Sequence, residues 1–249
     1  MLEIAHISKD FGGLKALKEI TFHVKEKQIY GLIGPNGAGK TTLFNLITGF
    51  LPATHGSIQF LGNELTGLKA HKIAKLGIAR TFQNIRLFGT MTVKENILVA
   101  QNIRARSGVT SLVQFFSSKE RELQEKADDL LKRMGLWEKR KEQSLSLAYG
   151  EQRRLEIARA LALEPRLLLL DEPAAGMNEA ETEDLLGRIS EIRNTGKAVF
   201  LIEHDMNVVM GICDYISVLN FGELIAEGTP DEIQASEAVI EAYLGREEE

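Results

Sequence analysis

Hydrophobic and polar residues change rhythm several times along the chain, and each rhythm predicts a different element. Over residues 2–7, 20–24 and 57–61 they nearly alternate, which is the spacing of half-buried strands. Residues 28–33 form a nearly continuous apolar run instead, the mark of a buried strand, and end at a glycine-rich turn. Beyond it Leu43, Leu46 and Ile47 define one face of a helix. Residues 68–76 read as helical. From Thr92 a long helical pattern begins, with Thr92 and Glu95 at capping-box spacing. It weakens between residues 101 and 118, which predicts a loop or small insertion, and resumes with the apolar stripe Leu123, Ala127, Leu130, Leu131 and Met134. Strand and helix then alternate: 167–170, a helix carrying Leu185, Leu186, Ile189 and Ile192, and 198–202. Residues 215–219 and 223–226 flank Asn220-Phe221-Gly222, a predicted hairpin. The architecture expected is α/β with a helical segment inserted in the middle.

Composition narrows the class. The 249 residues suffice for one large domain or two modest ones, and 44% hydrophobic with 26% charged residues is ordinary for a globular protein. A net charge of −5, with both signs interspersed, argues against a generic nucleic-acid binder. The single cysteine, Cys213, forms no internal disulfide and fits a reducing compartment. Cys213 and Trp137 read as packing residues. The first residues show no secretory pattern, and the longest apolar runs, 167–170 and 198–202, fall far short of the roughly 20 residues of a bilayer span. The chain is expected not to cross a membrane unaided, and the acidic tail 247–249 to be solvated.

The chemistry begins at Gly34-Pro35-Asn36-Gly37-Ala38-Gly39-Lys40-Thr41, which fits G-x-x-x-x-G-K-[ST] between a buried strand and a helix. Glycines let backbone amides curl around a phosphate chain, and the following helix points its positive end at the same phosphates. Lys40 would supply a point charge to the β- and γ-phosphate oxygens, and the Thr41 hydroxyl would complete the shell of a Mg²⁺ ion. The pattern predicts a nucleotide site.

Residues 167–170 are an apolar strand ending in Asp171-Glu172. Beside a phosphate loop, Asp171 is expected to hold the metal shell and Glu172 to polarise the attacking water as a general base. His204 follows another apolar strand, and strand ends are where open α/β sheets bind ligands. An imidazole there can hydrogen-bond a γ-phosphate, although the local pattern alone leaves this open. His6, His23, His55 and His71 lack such a setting and read as structural or surface residues. Leu147-Ala148-Tyr149-Gly150-Glu151-Gln152 opens a further helix. A glycine at a helix start is a second anion site or an ordinary N-terminus, and the pattern alone favours the latter.

Taken together these segments resemble the nucleotide-binding subunits of ABC transporters over nearly the whole chain. Gly34 to Thr42 resembles Walker A, 168–172 Walker B, Gln83 the Q-loop and His204 the H-loop. Phe11 resembles the aromatic that stacks on adenine, with a strand-end core aromatic as its alternative. The signature motif is only similar. Where the family usually has Leu-Ser-Gly-Gly-Gln, this chain has Leu147-Ala148-Tyr149-Gly150-Glu151, which drops a serine hydroxyl and adds a charge. The D-loop, Ala174-Ala175-Gly176-Met177-Asn178, has asparagine where aspartate is commonest. These departures, with the segments 77–88, 203–206 and 242–245, resemble the LivG-type subunits of branched-chain amino acid importers.

The resemblance implies a P-loop NTPase core (about 1–84 and 162–249) with an N-terminal antiparallel β subdomain and an inserted helical subdomain (about 85–161). It implies ATP and Mg²⁺ as ligands. Phe11, Gly34, Pro35, Asn36, Gly37, Ala38, Gly39, Lys40, Thr41 and Thr42 would hold the nucleotide. Thr41, Gln83 and Asp171 would hold the metal, while Glu172, His204, Lys40 and Gln83 serve catalysis. Ala148, Tyr149, Gly150 and Glu151 would contact ATP on a second ATPase subunit, identical or LivF-like. The implied partners are two transmembrane permease subunits and, indirectly, an extracytoplasmic binding protein, with no nucleic acid. The chain would lie peripherally on the cytoplasmic face of the plasma membrane. Related ABC systems, for lipopolysaccharide extraction or urea and amide uptake, are the alternatives. A soluble ABC protein acting on DNA or ribosomes would need long heptad runs or two fused cassettes, and the chain has neither.

Overall fold

The computed structural model describes residues 1–105 and 116–244. The chain begins with strands β1 (Leu2–Phe11), β2 (Leu14–Val24) and β3 (Ile29–Ile33), then helix α1 (Lys40–Ile47). Strands β4 (His55–Phe60) and β5 (Asn63–Glu64), helix α2 (Ala70–Leu76) and strand β6 (Ile78–Arg80) follow. Three helices come next: α3 (Val93–Ala105), α4 (Phe116–Arg133) and α5 (Tyr149–Leu161). Strand β7 (Leu167–Asp171), helix α6 (Glu179–Asn194), strand β8 (Ala198–Ile202) and helix α7 (Met206–Ile212) rebuild the alternation. The chain closes with β9 (Tyr215–Asn220), β10 (Glu223–Gly228), α8 (Pro230–Gln234) and α9 (Glu237–Leu244).

Two sheets form. The first is antiparallel, in the order β2-β1-β4-β5. The second runs β10-β9-β3-β8-β7-β6, parallel except for the β9–β10 hairpin. Every residue of β3, β7 and β8 is buried, and successive side chains enter opposite layers, as the strand period of two requires. Tyr30, Leu167, Leu169 and Phe200 face a core shared with the antiparallel sheet and α1; Ile33, Leu168, Leu170 and Leu201 face a core shared with the helices. The first core is tightened by aromatic contacts, with Phe44 of α1 edge-on to Phe200 at 4.9 Å.

The strands expected over 2–7 and 20–24 exist but run longer, as β1 and β2. His6 and Glu19 adopt left-handed backbone (φ 51 and 52), and the register shifts beside them break the alternation that marks a strand. Of the segment 101–118 expected as a loop or small insertion, 101–105 and 116–118 are helical, since α3 continues to Ala105 and α4 starts at Phe116. Residues 106–115 and the acidic tail 247–249 lie outside the described residues. The Thr92–Glu95 capping box is present, the Thr92 amide donating to Glu95 Oε2 (2.7 Å) and the Glu95 amide to Thr92 Oγ1 (3.2 Å). Trp137 packs against the helical-side core, Cys213 is buried, and the four remaining histidines are exposed. No helix among the described residues is long and apolar enough to cross a membrane.

Candidate nucleotide site

The phosphate loop joins β3, a central strand, to α1. Two of its glycines are required by space. Gly34 (φ 147) approaches the Leu219 carbonyl too closely for any side chain. Gly39 (φ 106) caps α1, and a Cβ there would lie 2.8 Å from the Ala16 carbonyl oxygen. The loop folds under itself: Lys40 Nζ is buried and donates to the carbonyls of Gly34 (2.6 Å) and Pro35 (3.0 Å). The first turn of α1 carries no acidic residue, so nothing there opposes the positive end of its dipole.

A cleft of about 780 Å³ opens over this loop. It is lined by Asn36, Gly37, Ala38, Gly39, Lys40, Thr41 and Thr42, by Phe11, Lys15 and Lys18, and by Gln83 and Glu172. Gly34 and Pro35 lie behind it as acceptors for Lys40. Phe11 ends β1 and is exposed, with the Lys9 ammonium 4.9 Å from its ring centre, so it is not a core aromatic.

The two carboxylates divide at the end of β7. Glu172 takes a left-handed turn (φ 48), unusual for a side-chain-bearing residue, and its amide donates to the Ile202 carbonyl (3.0 Å). Its Oε2 accepts from Gln83 Nε2 at 3.0 Å, which joins two residues 89 apart in the chain at one side of the cleft. Asp171 stays buried beside it. Arg80 Nη2 donates to Asp171 Oδ2 (2.7 Å), while its Nη1 reaches Asn45 Oδ1 (2.7 Å) and Thr48 Oγ1 (3.2 Å) at the end of α1. Arg80 therefore ties the carboxylate to the helix that follows the phosphate loop. The sequence pattern does not single it out, because its partners Asp171 and Asn45 stand 91 and 35 positions away.

Thr41, Gln83 and Asp171 are oxygen donors of the kind Mg²⁺ takes. Among the described residues no group of three or more His, Cys, Asp or Glu is gathered for a metal. An ion held by Thr41, Gln83 and Asp171 would have the rest of its shell completed by phosphate and water.

His204 follows β8, exposed, with Nδ1 3.8 Å from Glu203 Oε2. Glu203 is buried and was missed in the sequence reading. Its Oε1 accepts the Ala174 amide (3.0 Å) and its Oε2 the His204 amide (3.3 Å). One carboxylate thus joins the segment after Glu172 to His204, and burial pushes its pKa up.

Ala148, Tyr149, Gly150 and Glu151 do not reach this chain's own cleft. Ala148 caps α5 without a hydroxyl, so only half a capping box forms, Glu151 Oε2 accepting the Ala148 amide (3.1 Å). Lys139 bonds the same oxygen (2.7 Å); burial raises the Glu151 pKa, but these bonds outweigh it and the net shift is downward. Tyr149 and Gly150 lie against Gly176, Met177 and Glu181. Behind them Arg153, fully buried, donates to the carbonyls of Phe82 (2.7 Å) and Gln83 (2.8 Å) and to Glu156 (3.1 Å). Glu156 in turn accepts the Arg86 amide (3.1 Å), and burial raises its pKa.

A phosphate loop after a central parallel strand, with an Asp-Glu pair ending a strand two places away, defines a P-loop nucleotide hydrolase. The chain belongs to the ABC transporter family and is an ATPase of its ATP-binding cassette kind. The family model described as ABC transporter matches residues 17–175, and one described as Branched-chain amino acid ATP-binding cassette transporter matches residues 223–249. It is 48% identical to the high-affinity branched-chain amino acid transport ATP-binding protein BraF of Pseudomonas aeruginosa, with 98% of each chain covered. Its identity to LivG of Escherichia coli is 46%, again with 98% of each covered. Among solved structures, an ATP-binding cassette of an ABC transporter in its ADP conformation superposes with a TM-score of 0.86, at 30% identity and 99% coverage of both chains. A dimeric bacterial ABC transporter cassette gives a TM-score of 0.78 at 25% identity, covering 92% of this chain and 99% of the other.

Proposed function

We propose that this chain binds and hydrolyses ATP to drive uptake of branched-chain amino acids through two separate membrane subunits. It would act peripherally, on the cytoplasmic face of the plasma membrane, paired with a second ATPase subunit. The observation that carries the ATPase chemistry is the meeting of Glu172, Gln83 and the phosphate loop in one cleft. The substrate class rests on full-length likeness to BraF and LivG at 46–48% identity, against 32% for the lipopolysaccharide export protein LptB of Haemophilus influenzae.

In this reading Lys40 and the loop amides neutralise the phosphates, and Phe11 meets the base. Thr41, Gln83 and Asp171 would hold Mg²⁺, whose charge would offset that of the phosphates. Glu172 accepts the proton of the attacking water, and His204 donates a hydrogen bond to the γ-phosphate. Ala148, Tyr149, Gly150 and Glu151 face ATP held by the second subunit. Residues 85–161 move as the helical subdomain, and residues 83–96 sense the membrane subunits. A groove of about 610 Å³ near that segment, lined by apolar residues such as Phe88 and Val99 and by Lys75, Arg159, Glu164 and Arg166, is the surface this reading assigns to that contact.

Glu172→Gln tests the chemistry. ATP affinity should stay near wild type while turnover falls by roughly 10²- to 10⁴-fold. Ordinary phosphate release by the variant would sink the general-base role. Deleting the gene should abolish labelled leucine uptake; unaltered leucine uptake would overturn the substrate.

A further inference from the structure

The turn between β9 and β10 breaks a local rule. It has two residues, Phe221 and Gly222, both left-handed (φ 45 and 79), the conformation that Asn, Asp or Gly ordinarily supplies at the first position. A phenylalanine there holds a strained backbone, and its ring is 69% exposed, so the fold recovers little by burying it. Such inconsistencies concentrate at functional positions.

The turn is fixed against the nucleotide site. The Gly222 amide donates to the Ala38 carbonyl of the phosphate loop (3.1 Å), and the Lys18 amide of β2 donates to the Gly222 carbonyl (2.8 Å). A Cβ on Gly222 would lie 2.6 Å from the Ala16 carbonyl oxygen, so the contact is close on that side as well. The Phe221 ring lines the same cleft as Phe11 and Leu14, which flank the tip of the β1–β2 hairpin. Both of those side chains are also exposed, at 45% and 68%. Two hairpin tips thus bring three unburied large apolar side chains to the cleft that the phosphate loop, Lys15, Lys18, Gln83 and Glu172 also line.

We infer that Phe221 forms, with Phe11, the subsite for the purine base of the nucleotide. This rests on the reading that the cleft holds ATP. Aromatic side chains accept a base on their faces without needing hydrogen-bond readout. A ring held out by a rigid turn also loses little freedom when the base arrives.

The decisive variant is Phe221→Asn, which installs a residue the turn prefers. Its melting temperature should equal or exceed wild type, while the Kd for ATP, measured calorimetrically on the full chain, rises about tenfold. The affinity for inorganic tripolyphosphate, measured by displacement of ATP, should not change, since it has no base. Unchanged ATP affinity in Phe221→Asn overturns the inference; if ATP-driven dimerisation weakens instead, the ring belongs to a subunit interface. Equal losses for ATP and tripolyphosphate also overturn it, because the ring would then act through the phosphate loop. Lys40→Ala separates the two levels: if it leaves ATP affinity intact, the cleft is not the nucleotide site at all.

Discussion

Replacing Arg80 with methionine tests how the buried carboxylate beside the phosphate loop is held. The guanidinium and the Asp171 carboxylate are only 6% and 4% exposed, with a 2.7 Å contact. Methionine keeps much of the side chain's length but removes three hydrogen bonds, to Asp171, Asn45 and Thr48, and leaves Asp171 without its counter-charge. Breaking a buried pair by removing one partner costs about 3–5 kcal/mol. In a chain of this size each kcal/mol shifts Tm by about 2–4 °C, so a fall of roughly 6–20 °C is expected. Urea unfolding followed by Trp137 fluorescence measures the loss. Asp171→Asn should destabilise for the converse reason, stranding a buried guanidinium. The double variant strands neither charge and should cost less than the two single losses added, with a coupling of about 2 kcal/mol or more. Additive losses, or an Arg80→Met loss below about 1 kcal/mol, would refute the account.

Three further outcomes follow from the same geometry. Ala148→Ser restores a side-chain oxygen at the N-cap of α5, so unfolding free energy should rise by about 1 kcal/mol, and ATP-dependent dimerisation should strengthen; an unaltered dimerisation constant would count against the second part. Gly34→Ala places a methyl against the Leu219 carbonyl at φ 147, and should lower stability by about 3 kcal/mol or more, as read by thermal unfolding. For Glu203, burial raises the folded pKa, so the protonated form is favoured in the native state and its stabilising contribution is present below the unfolded pKa. That contribution is lost as pH rises through the folded value. The wild type should therefore lose stability relative to Glu203→Gln as pH rises from the unfolded carboxylate value through the raised folded one, as read by the difference between their unfolding free energies at each pH.

What could be read from the sequence depended on how far apart the interacting residues lie. The phosphate loop, its flanking strand and helix, the 167–170 strand with its two acids, and the hairpin at Phe221 are each written in a few consecutive residues. Irregular backbone hid more. The bulges at His6 and Glu19 shift every later side chain to the other face, so β1 and β2 looked shorter than they are. Strand β6 offers only Ile78 and Ala79 to the core before Arg80, too few for a pattern. Arg80, Arg153 and Glu203 were invisible as site residues because their partners stand 91, 71 and 29 positions away. Nothing local marks a charge as buried until the sheet order brings its partner alongside. Ala148 was legible as a departure from the family's signature, but the half-formed cap it leaves on α5 is a property of three-dimensional contact.

The two buried arginines have a joint mechanical consequence. Arg80 anchors its own strand to α1 and Asp171, and Arg153 grips the carbonyls of Phe82 and Gln83 from α5. Only Thr81 separates the two anchorages on this crossing of the chain. Arg153 thus ties residues 82 and 83 to α5, and any swing of α5 relative to the central sheet would have to be taken up next to Thr81, whose amide is fixed to the Leu169 carbonyl (3.0 Å). Its hydroxyl accepts the Asp171 amide (3.3 Å), which places the joint directly against the residue that ends β7. Gln83, held through its carbonyl by Arg153 and through its side chain to Glu172, is therefore the direct link from α5 to the carboxylate in the cleft.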